Sequence, residues 1–144
     1  LGLVGIFLLL PLLLLPGVRA GWWQAAPPVY SETTPVEAAA WLREQPGLPG
    51  PLWADLVYSS YLVQALPERP VWAYTRFEQF PPEQWERYLQ IAGAEAGWQA
   101  ALAQDGVRLL LLSKADQPRL AQAARMEAGW QVVYEDGKAL ILSR

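Results

Sequence analysis

The sequence VRLLLLSKADQP, residues 107–118, holds the strongest strand signal of the chain and a helix start directly after it. Residues 107–112 are nearly all apolar, which is typical of a strand covered on both faces. Their leucines would also suit a helix, but the shortness of the run and the preceding Gly106 favour a strand. Asp116 is placed to cap a helix over 117–127. The stretch therefore predicts one strand–helix unit.

The same alternation extends along the rest of the chain. The predicted helices cover 35–45, 58–66, 81–92, 94–104 and 117–127. The predicted strands cover 52–54, 71–74, 107–112, 130–135 and 138–143. Strands that alternate with helices indicate a three-layer α/β fold, with a mainly parallel sheet of about five strands and helices on both faces. Asp136-Gly137 is predicted to be the two-residue type I′ turn of a C-terminal antiparallel hairpin, which adds one antiparallel strand at an edge.

An uncharged apolar run, LGLVGIFLLLPLLLLPGV, occupies residues 1–18. Its length is the lower limit for a membrane-spanning helix, and Trp22 and Trp23 follow where an aromatic belt would lie. A signal peptide cleaved near Val18-Arg19-Ala20 is the alternative, and a buried core helix is a third reading. We expect a transmembrane helix at 1–20, a linker at 21–33 and an extracytoplasmic domain at 34–144. Because the chain begins with Leu1, we expect its natural N-terminus to lie upstream.

Composition excludes several classes of function for this chain. It has 144 residues, a net charge of −3 and no basic patch, so nucleic acid is not an expected partner. It has no cysteine and no histidine, which excludes disulfides, thiol catalysis, Ser-His-Asp triads and the usual zinc sites. We expect no cofactor and no metal. Four of the eight tryptophans fall on predicted inward positions and are predicted to be core rather than a sugar platform: Trp41, Trp85, Trp98 and Trp130.

Polar residues follow three of the predicted strands. Ligands of open parallel sheets bind beyond the C-terminal ends of the strands, which share one edge. The candidate ligand-binding residues at these ends are Asp55, Tyr74, Arg76, Glu78 and Lys114. Arg76 with Asp55 or Glu78 could bind a carboxylate, phosphate or sugar hydroxyl group, and the two carboxylates could act as an acid/base pair. The alternative interpretation is a set of solvated loop residues or a structural ion pair.

Four segments carry a resemblance to a known family. They are Tyr58-Ser59-Ser60-Tyr61-Leu62 with Leu66-Pro67, the stretch Val71-Trp72-Ala73-Tyr74-Thr75-Arg76-Phe77-Glu78, the Trp98 helix with the strand at 107–112, and Gly129-Trp130-Gln131-Val132-Val133-Tyr134-Glu135-Asp136. In this order and spacing they resemble the C-terminal extracytoplasmic domain of multi-spanning bacterial proteins similar to protein mannosyltransferases. Those proteins are glycosyltransferase-like membrane enzymes that use lipid-linked sugars. The resemblance covers roughly residues 35–144 plus the last membrane helix.

The chain departs from the family pattern at two places. Ser59-Ser60 stands where the pattern has two glycines in "GGYL", and Tyr74-Thr75 stands where it has Asp-Gly before Arg76. The resemblance implies that the catalytic carboxylate lies in an early extracytoplasmic loop outside this chain, so no catalytic residue is assigned here. It also implies membrane lipid as a partner, and a lipid-linked sugar or an acceptor as the ligand of the whole protein.

Three functional hypotheses follow. The leading one is a non-catalytic extracytoplasmic C-terminal domain of a polytopic, glycosyltransferase-like membrane protein of the cell envelope, which covers the membrane active site or contacts an acceptor. The second is a secreted or membrane-anchored α/β binding module. The third, which has the least support, is a self-contained enzyme that uses Asp55, Arg76 and Glu78.

Overall fold

The computed structural model describes residues 30–144, apart from the side chain of Phe77. Residues Thr33–Arg144 form one α/β unit. Its α-helices are α1 (Val36–Arg43), α2 (Leu56–Ala65), α3 (Pro82–Ala92), α4 (Trp98–Gln104) and α5 (Pro118–Met126). Its strands are β1 (Leu52–Ala54), β2 (Leu109–Ser113), β3 (Gln131–Glu135) and β4 (Ala139–Ser143). A short 3₁₀ helix covers Phe77–Gln79.

The sheet is mixed and has four strands, in the order β1-β2-β4-β3. β1 and β2 are parallel, whereas β4 is antiparallel to both β2 and β3. The prediction of a mainly parallel sheet of about five strands is therefore wrong. The sheet differs from the prediction because β4 inserts between β2 and β3, which makes two of the three strand pairs antiparallel.

The predicted strand at 71–74 is reduced to a single bridge between Val71 and Leu52. The Trp72 N–H donates to the Leu52 carbonyl at 2.8 Å, and the Leu52 N–H donates to the Pro70 carbonyl at 3.3 Å. Pro70 has no N–H to extend the pairing. The segment thus contacts the outer edge of β1 without becoming a fifth strand.

The C-terminal hairpin is present, but its turn and its place in the sheet differ from the prediction. Residues 136–138 connect the strands, and Gly137 does not have the positive φ that a type I′ turn requires. Instead, Asp136 Oδ1 accepts the N–H groups of Lys138 at 2.8 Å and Ala139 at 2.7 Å. The side chain of Asp136 therefore closes the turn. The antiparallel strand β4 lies inside the sheet and is buried, and β3 takes the edge.

Two cores cover the two faces of the sheet. In β2, Leu110 and Leu112 face one core, and Leu109 and Leu111 face the other, as the two-residue period of a strand requires. The first core contains residues of α3, α4 and α5, and the second contains residues of α1 and α2. Helices therefore cover both faces, and the predicted three-layer α/β architecture is confirmed.

The tryptophans divide between the interior and its margins. Trp98 and Trp130 are buried as predicted, while Trp41 and Trp85 are half-buried and pack against the cores. The largest fully buried side chain is Trp53, which the sequence patterns did not single out.

The predicted membrane segment at 1–20 lies outside the described residues. Within residues 30–144, no helix has both the length and the apolar character that crossing a membrane requires.

Candidate functional site

A crevice opens between the C-terminal ends of β1 and β2. The helix after β1, α2, packs into one core, and the helix after β2, α5, packs into the other. Adjacent parallel strands whose connections leave toward opposite faces form a topological switch point, where α/β folds bind ligands. The crevice has a volume of about 340 Å³ and is lined by Asp55, Leu56, Val57, Tyr88, Ala92, Asp116 and Gln117.

Asp55 lies at the N-terminus of α2 and is 4% exposed. Its Oδ1 atom accepts the backbone N–H groups of Val57 and Tyr58, both at 2.9 Å, so it caps the helix. Its Oδ2 atom is buried and has no hydrogen-bond partner within the protein. Burial raises the pKa of Asp55, and the nearby Asp116 carboxylate raises it further, whereas the backbone N–H groups of Tyr58, Val57 and Ser113 act in the opposite direction.

Gln117 brings a second buried acceptor to the crevice from the loop after β2. The residue is 6% exposed, and its Oε1 atom has no hydrogen-bond partner within the protein. Gln117, rather than the predicted Asp116, occupies the N-cap position of α5. Asp116 instead accepts the Ser113 hydroxyl at 2.7 Å, and its own N–H donates to Ser113 Oγ at 3.1 Å. The predicted Asp116 cap is therefore wrong, because Ser113 holds that carboxylate.

An aromatic wall closes the crevice on the side of α3. The Tyr88 ring stacks on Trp53, with ring centroids 5.4 Å apart, and meets Trp85 edge to face at 5.8 Å. The Leu56 N–H donates to the Tyr88 hydroxyl at 3.3 Å. Burial raises the pKa of Tyr88 to about 12, so this hydroxyl stays protonated near neutral pH. Of these three rings only Tyr88 lines the crevice, and it brings one neutral hydroxyl group there.

The five predicted site residues fall in three separate places. Asp55 lies in the crevice with Asp116, as expected for the ends of adjacent parallel strands. Arg76 and Glu78 are exposed on the segment that follows the Val71 bridge. Among residues 30–144, no ion pair joins Arg76 to Asp55 or to Glu78. As ligand-binding residues, all five remain predictions.

Tyr74 is held within its own loop. Its hydroxyl donates to Gln79 Oε1 at 2.5 Å, and its ring meets Phe80 edge to face at 5.3 Å. The neighbouring Thr75 hydroxyl lies 2.9 Å from the Ser60 hydroxyl of α2. This hydrogen bond ties the loop to the second turn of α2.

Lys114 belongs to an ion-pair network beside β3. Its Nζ atom donates to Glu135 Oε1 at 3.0 Å and to the Asp136 carbonyl at 2.9 Å. Arg125 of α5 reaches the same Glu135 oxygen at 2.6 Å. These two cations lower the pKa of Glu135 to about 2, with the Arg125 hydrogen bond the largest cause. Lys114 therefore links β2 to β3 and α5 and does not line the crevice.

Two crevice residues were missed by reasoning from sequence. Gln117 falls at the start of the predicted helix over 117–127, and Tyr88 falls inside the predicted helix over 81–92. The signal for Gln117 was its position directly before Pro118, where a helix N-cap is expected. Nothing in the sequence pairs Tyr88 with Asp55, since they are brought together only by the packing of α3 against the sheet.

The crevice is equipped to hold hydrogen-bond donors. Its two buried oxygens lack partners, and an unsatisfied buried acceptor costs roughly 1–3 kcal/mol. Both oxygens are enclosed, so a donor reaches them only when the lining side chains rotate. Among the described residues, no group of three or more acidic side chains is placed to hold a metal ion.

Comparison with protein-family models and with curated proteins gave no match to this chain.

Proposed function

We propose that this chain is a non-catalytic extracytoplasmic domain of a membrane protein of the glycosyltransferase-like, lipid-linked-sugar type, and that it contacts the sugar or its acceptor. The observation that carries the proposal is the crevice between β1 and β2. It contains two buried acceptors that lack hydrogen-bond partners, Asp55 Oδ2 and Gln117 Oε1, beside the ring of Tyr88. Hydroxyl groups of a sugar or of its acceptor donate to such oxygens once the lining side chains rotate to expose them.

The two departures from the family pattern lie close together in the folded chain. Ser60 replaces the second glycine of the helix-start motif, and Thr75 replaces the glycine before Arg76. Their hydroxyl groups lie 2.9 Å apart. The two motifs thus meet in space, and the two departures form one hydrogen-bonded pair. Ser59, at the first glycine position, donates to the Ala54 carbonyl at 3.2 Å and is fully buried.

A transfer assay tests the proposal. It measures the transfer of labelled sugar from a polyprenyl-phosphate donor by membranes that contain the full-length protein. A deletion of residues 34–144 should reduce transfer. The double variant Asp55→Asn with Gln117→Leu should raise the KM for the acceptor with little change in kcat, since no reacting group is removed. Arg119→Gln, on the exposed first turn of α5, is the control. Undiminished transfer by the deletion would refute a role for this domain.

A second candidate function is a secreted or membrane-anchored α/β binding module of the cell envelope. All the residues that line the crevice lie between residues 55 and 117. This favours a binding module, because no upstream segment is needed to hold a ligand there. Binding of free glycans by the isolated chain, with no transferase activity in the full-length protein, would favour this function over the first.

A further inference from the structure

Two arginines lie opposite each other at the end of the β2–β4 pair that is farther from the crevice. β2 and β4 pair from Ser113 with Ala139 to Leu109 with Ser143, and the Arg144 N–H continues the ladder to the Arg108 carbonyl at 2.9 Å. Arg108 and Arg144 are therefore directly opposite. Residues in directly opposed positions of an antiparallel pair project to the same face.

Strand alternation assigns this face to the side of the first core. Leu110 and Leu112 of β2 and Leu140 and Leu142 of β4 all belong to that core. Arg108 and Arg144 lie at the same parity, beyond the last core pair. With Ala103, Gly106 and Val107 they line a cleft of about 300 Å³ beside the end of α4, which we call the arginine cleft.

Neither guanidinium has an acidic partner. Within residues 30–144, no ion pair or side-chain hydrogen bond involves Arg108 or Arg144, and both residues are exposed. The acidic residue nearest along the chain, Asp105, is held by Arg87 at 3.1 Å. Like charges directly opposite on a ladder destabilise the pair. The two guanidinium groups therefore lie together without an acidic side chain as counterion within residues 30–144.

The side chain of Arg144 also has a defined surface to lie on. Gly129, with φ of +96°, precedes β3, and a Cβ atom built there would lie 3.5 Å from Arg144 Nε. This distance is an ordinary van der Waals contact, so the Arg144 side chain lies beside the turn at Gly129.

We propose that the arginine cleft binds a phosphate group of a phosphorylated ligand. Guanidinium groups match the geometry of phosphate oxygens with paired N–H donors, and two of them balance the charge of a phosphate dianion. The phosphate can come from a diffusible compound or from a lipid headgroup. The proposal does not depend on the crevice at the other end of the strands, and it shares with the proposed function only the membrane segment that a nanodisc accommodates.

A pyrophosphate-binding measurement tests the proposal. It uses the full chain in nanodiscs of neutral lipid and is made at constant ionic strength. Pyrophosphate should bind and raise the Tm of the wild-type chain. Arg108→Gln and Arg144→Gln should each weaken binding by about tenfold or more. Arg108→Lys should weaken binding by less, because it keeps the charge but loses the paired N–H donors of the guanidinium. Arg119→Gln removes an equal charge at the other edge and should bind as the wild type does.

A second readout separates binding from folding. Without anion, Arg108→Gln should have a higher Tm than the wild type, because it removes the like-charge repulsion, whereas Arg108→Lys should show no rise. With saturating pyrophosphate, the order of wild type and Arg108→Gln should reverse. Failure of the wild type to bind pyrophosphate, or equal losses in Arg108→Gln and Arg119→Gln, would overturn the proposal.

The lipid composition of the nanodisc distinguishes the source of the phosphate. If a headgroup occupies the arginine cleft, phosphatidate in the nanodisc should abolish pyrophosphate binding by the wild type. If the ligand is a diffusible compound, pyrophosphate affinity should be the same in both kinds of nanodisc. Either result supports phosphate recognition by Arg108 and Arg144.

Discussion

Asp55 combines two roles at the start of α2. One carboxylate oxygen caps the helix through the N–H groups of Val57 and Tyr58, and the other is buried in the crevice without a partner. The capping role was predictable, because Asp55 directly precedes the apolar helix sequence. It was missed because the predicted helix began at Tyr58, two residues after the observed start at Leu56.

Two substitutions at Asp55 distinguish the stabilising effect of the helix cap from the effect of the carboxylate charge. Asp55→Ala should be less stable than Asp55→Asn by about 1 kcal/mol, because only asparagine keeps an acceptor for the two N–H groups. Urea unfolding followed by tryptophan fluorescence measures the difference. Equal stability of the two variants would show that the cap contributes nothing.

The pH dependence of Asp55→Asn has a defined sign. Burial raises the pKa of Asp55 in the folded chain above the ordinary value of 3.8, so the folded state holds the proton more tightly than the unfolded state. Stability gained from this group is present at low pH and is lost as the pH rises through the folded pKa. Asp55→Asn should therefore gain stability relative to the wild type as the pH rises above 3.8.

Glu135 shows the opposite sign. Arg125 and Lys114 lower its pKa from 4.5 to about 2, so its stabilising effect is present above pH 4.5 and is lost as the pH falls toward 2. The difference in unfolding free energy between the wild type and Glu135→Gln should be largest near neutral pH and should vanish in strong acid. Glu86→Gln, at an exposed position of α3, controls for the loss of one carboxylate. A difference for Glu135→Gln that stays constant with pH would contradict this account.

At the scale of elements, local signals located most helices and strands, but they did not order the strands. The strand at Leu52–Ala54 has the predicted bounds, since proline and glycine before it and Asp55 after it mark both ends. The position of β4 depends on which strands it pairs with over a long sequence separation, and no local pattern encodes that. The strand expected at 71–74 failed for a related reason, because pairing stops once Pro70 and Trp72 have contacted Leu52.

The crevice was predictable only in part. The ends of β1 and β2 were expected to share an edge, and they place Asp55 beside Asp116. The separation of Arg76 and Lys114 from that crevice was not predictable, since it depends on the loss of the fifth strand and on the ion pair of Lys114 with Glu135.

The interior position of β4 leads to a matched pair of variants. Val132 and Leu142 are directly opposite in the β3–β4 ladder, yet Val132 is 44% exposed and Leu142 is fully buried. Leu142→Ala should lower the unfolding free energy by about 2–5 kcal/mol, and Val132→Ala by less than about 1 kcal/mol. Denaturant unfolding measures both. Similar losses at the two positions would place β4 at an edge instead.

At the scale of the whole molecule, the described α/β unit has two separate polar features at opposite edges of its sheet. The crevice beyond β1 and β2 encloses two acceptors that lack partners, and the arginine cleft holds two guanidinium groups without an acidic side chain beside them. A domain with this arrangement can contact a hydroxyl-bearing group at one edge and a phosphate at the other. The contact with a lipid-linked sugar or its acceptor that we propose for the crevice requires the domain to lie on the extracytoplasmic side of the membrane.

The location of this domain is therefore the central claim, and the absence of cysteine from the chain allows a direct measurement. Glu86→Cys adds one thiol to the full-length protein at an exposed position of α3, and residues 1–144 contain no other cysteine. A membrane-impermeant maleimide should label this thiol in intact spheroplasts, with the protein lacking the new cysteine as the control. Labelling that appears only after the cells are lysed would contradict an extracytoplasmic domain.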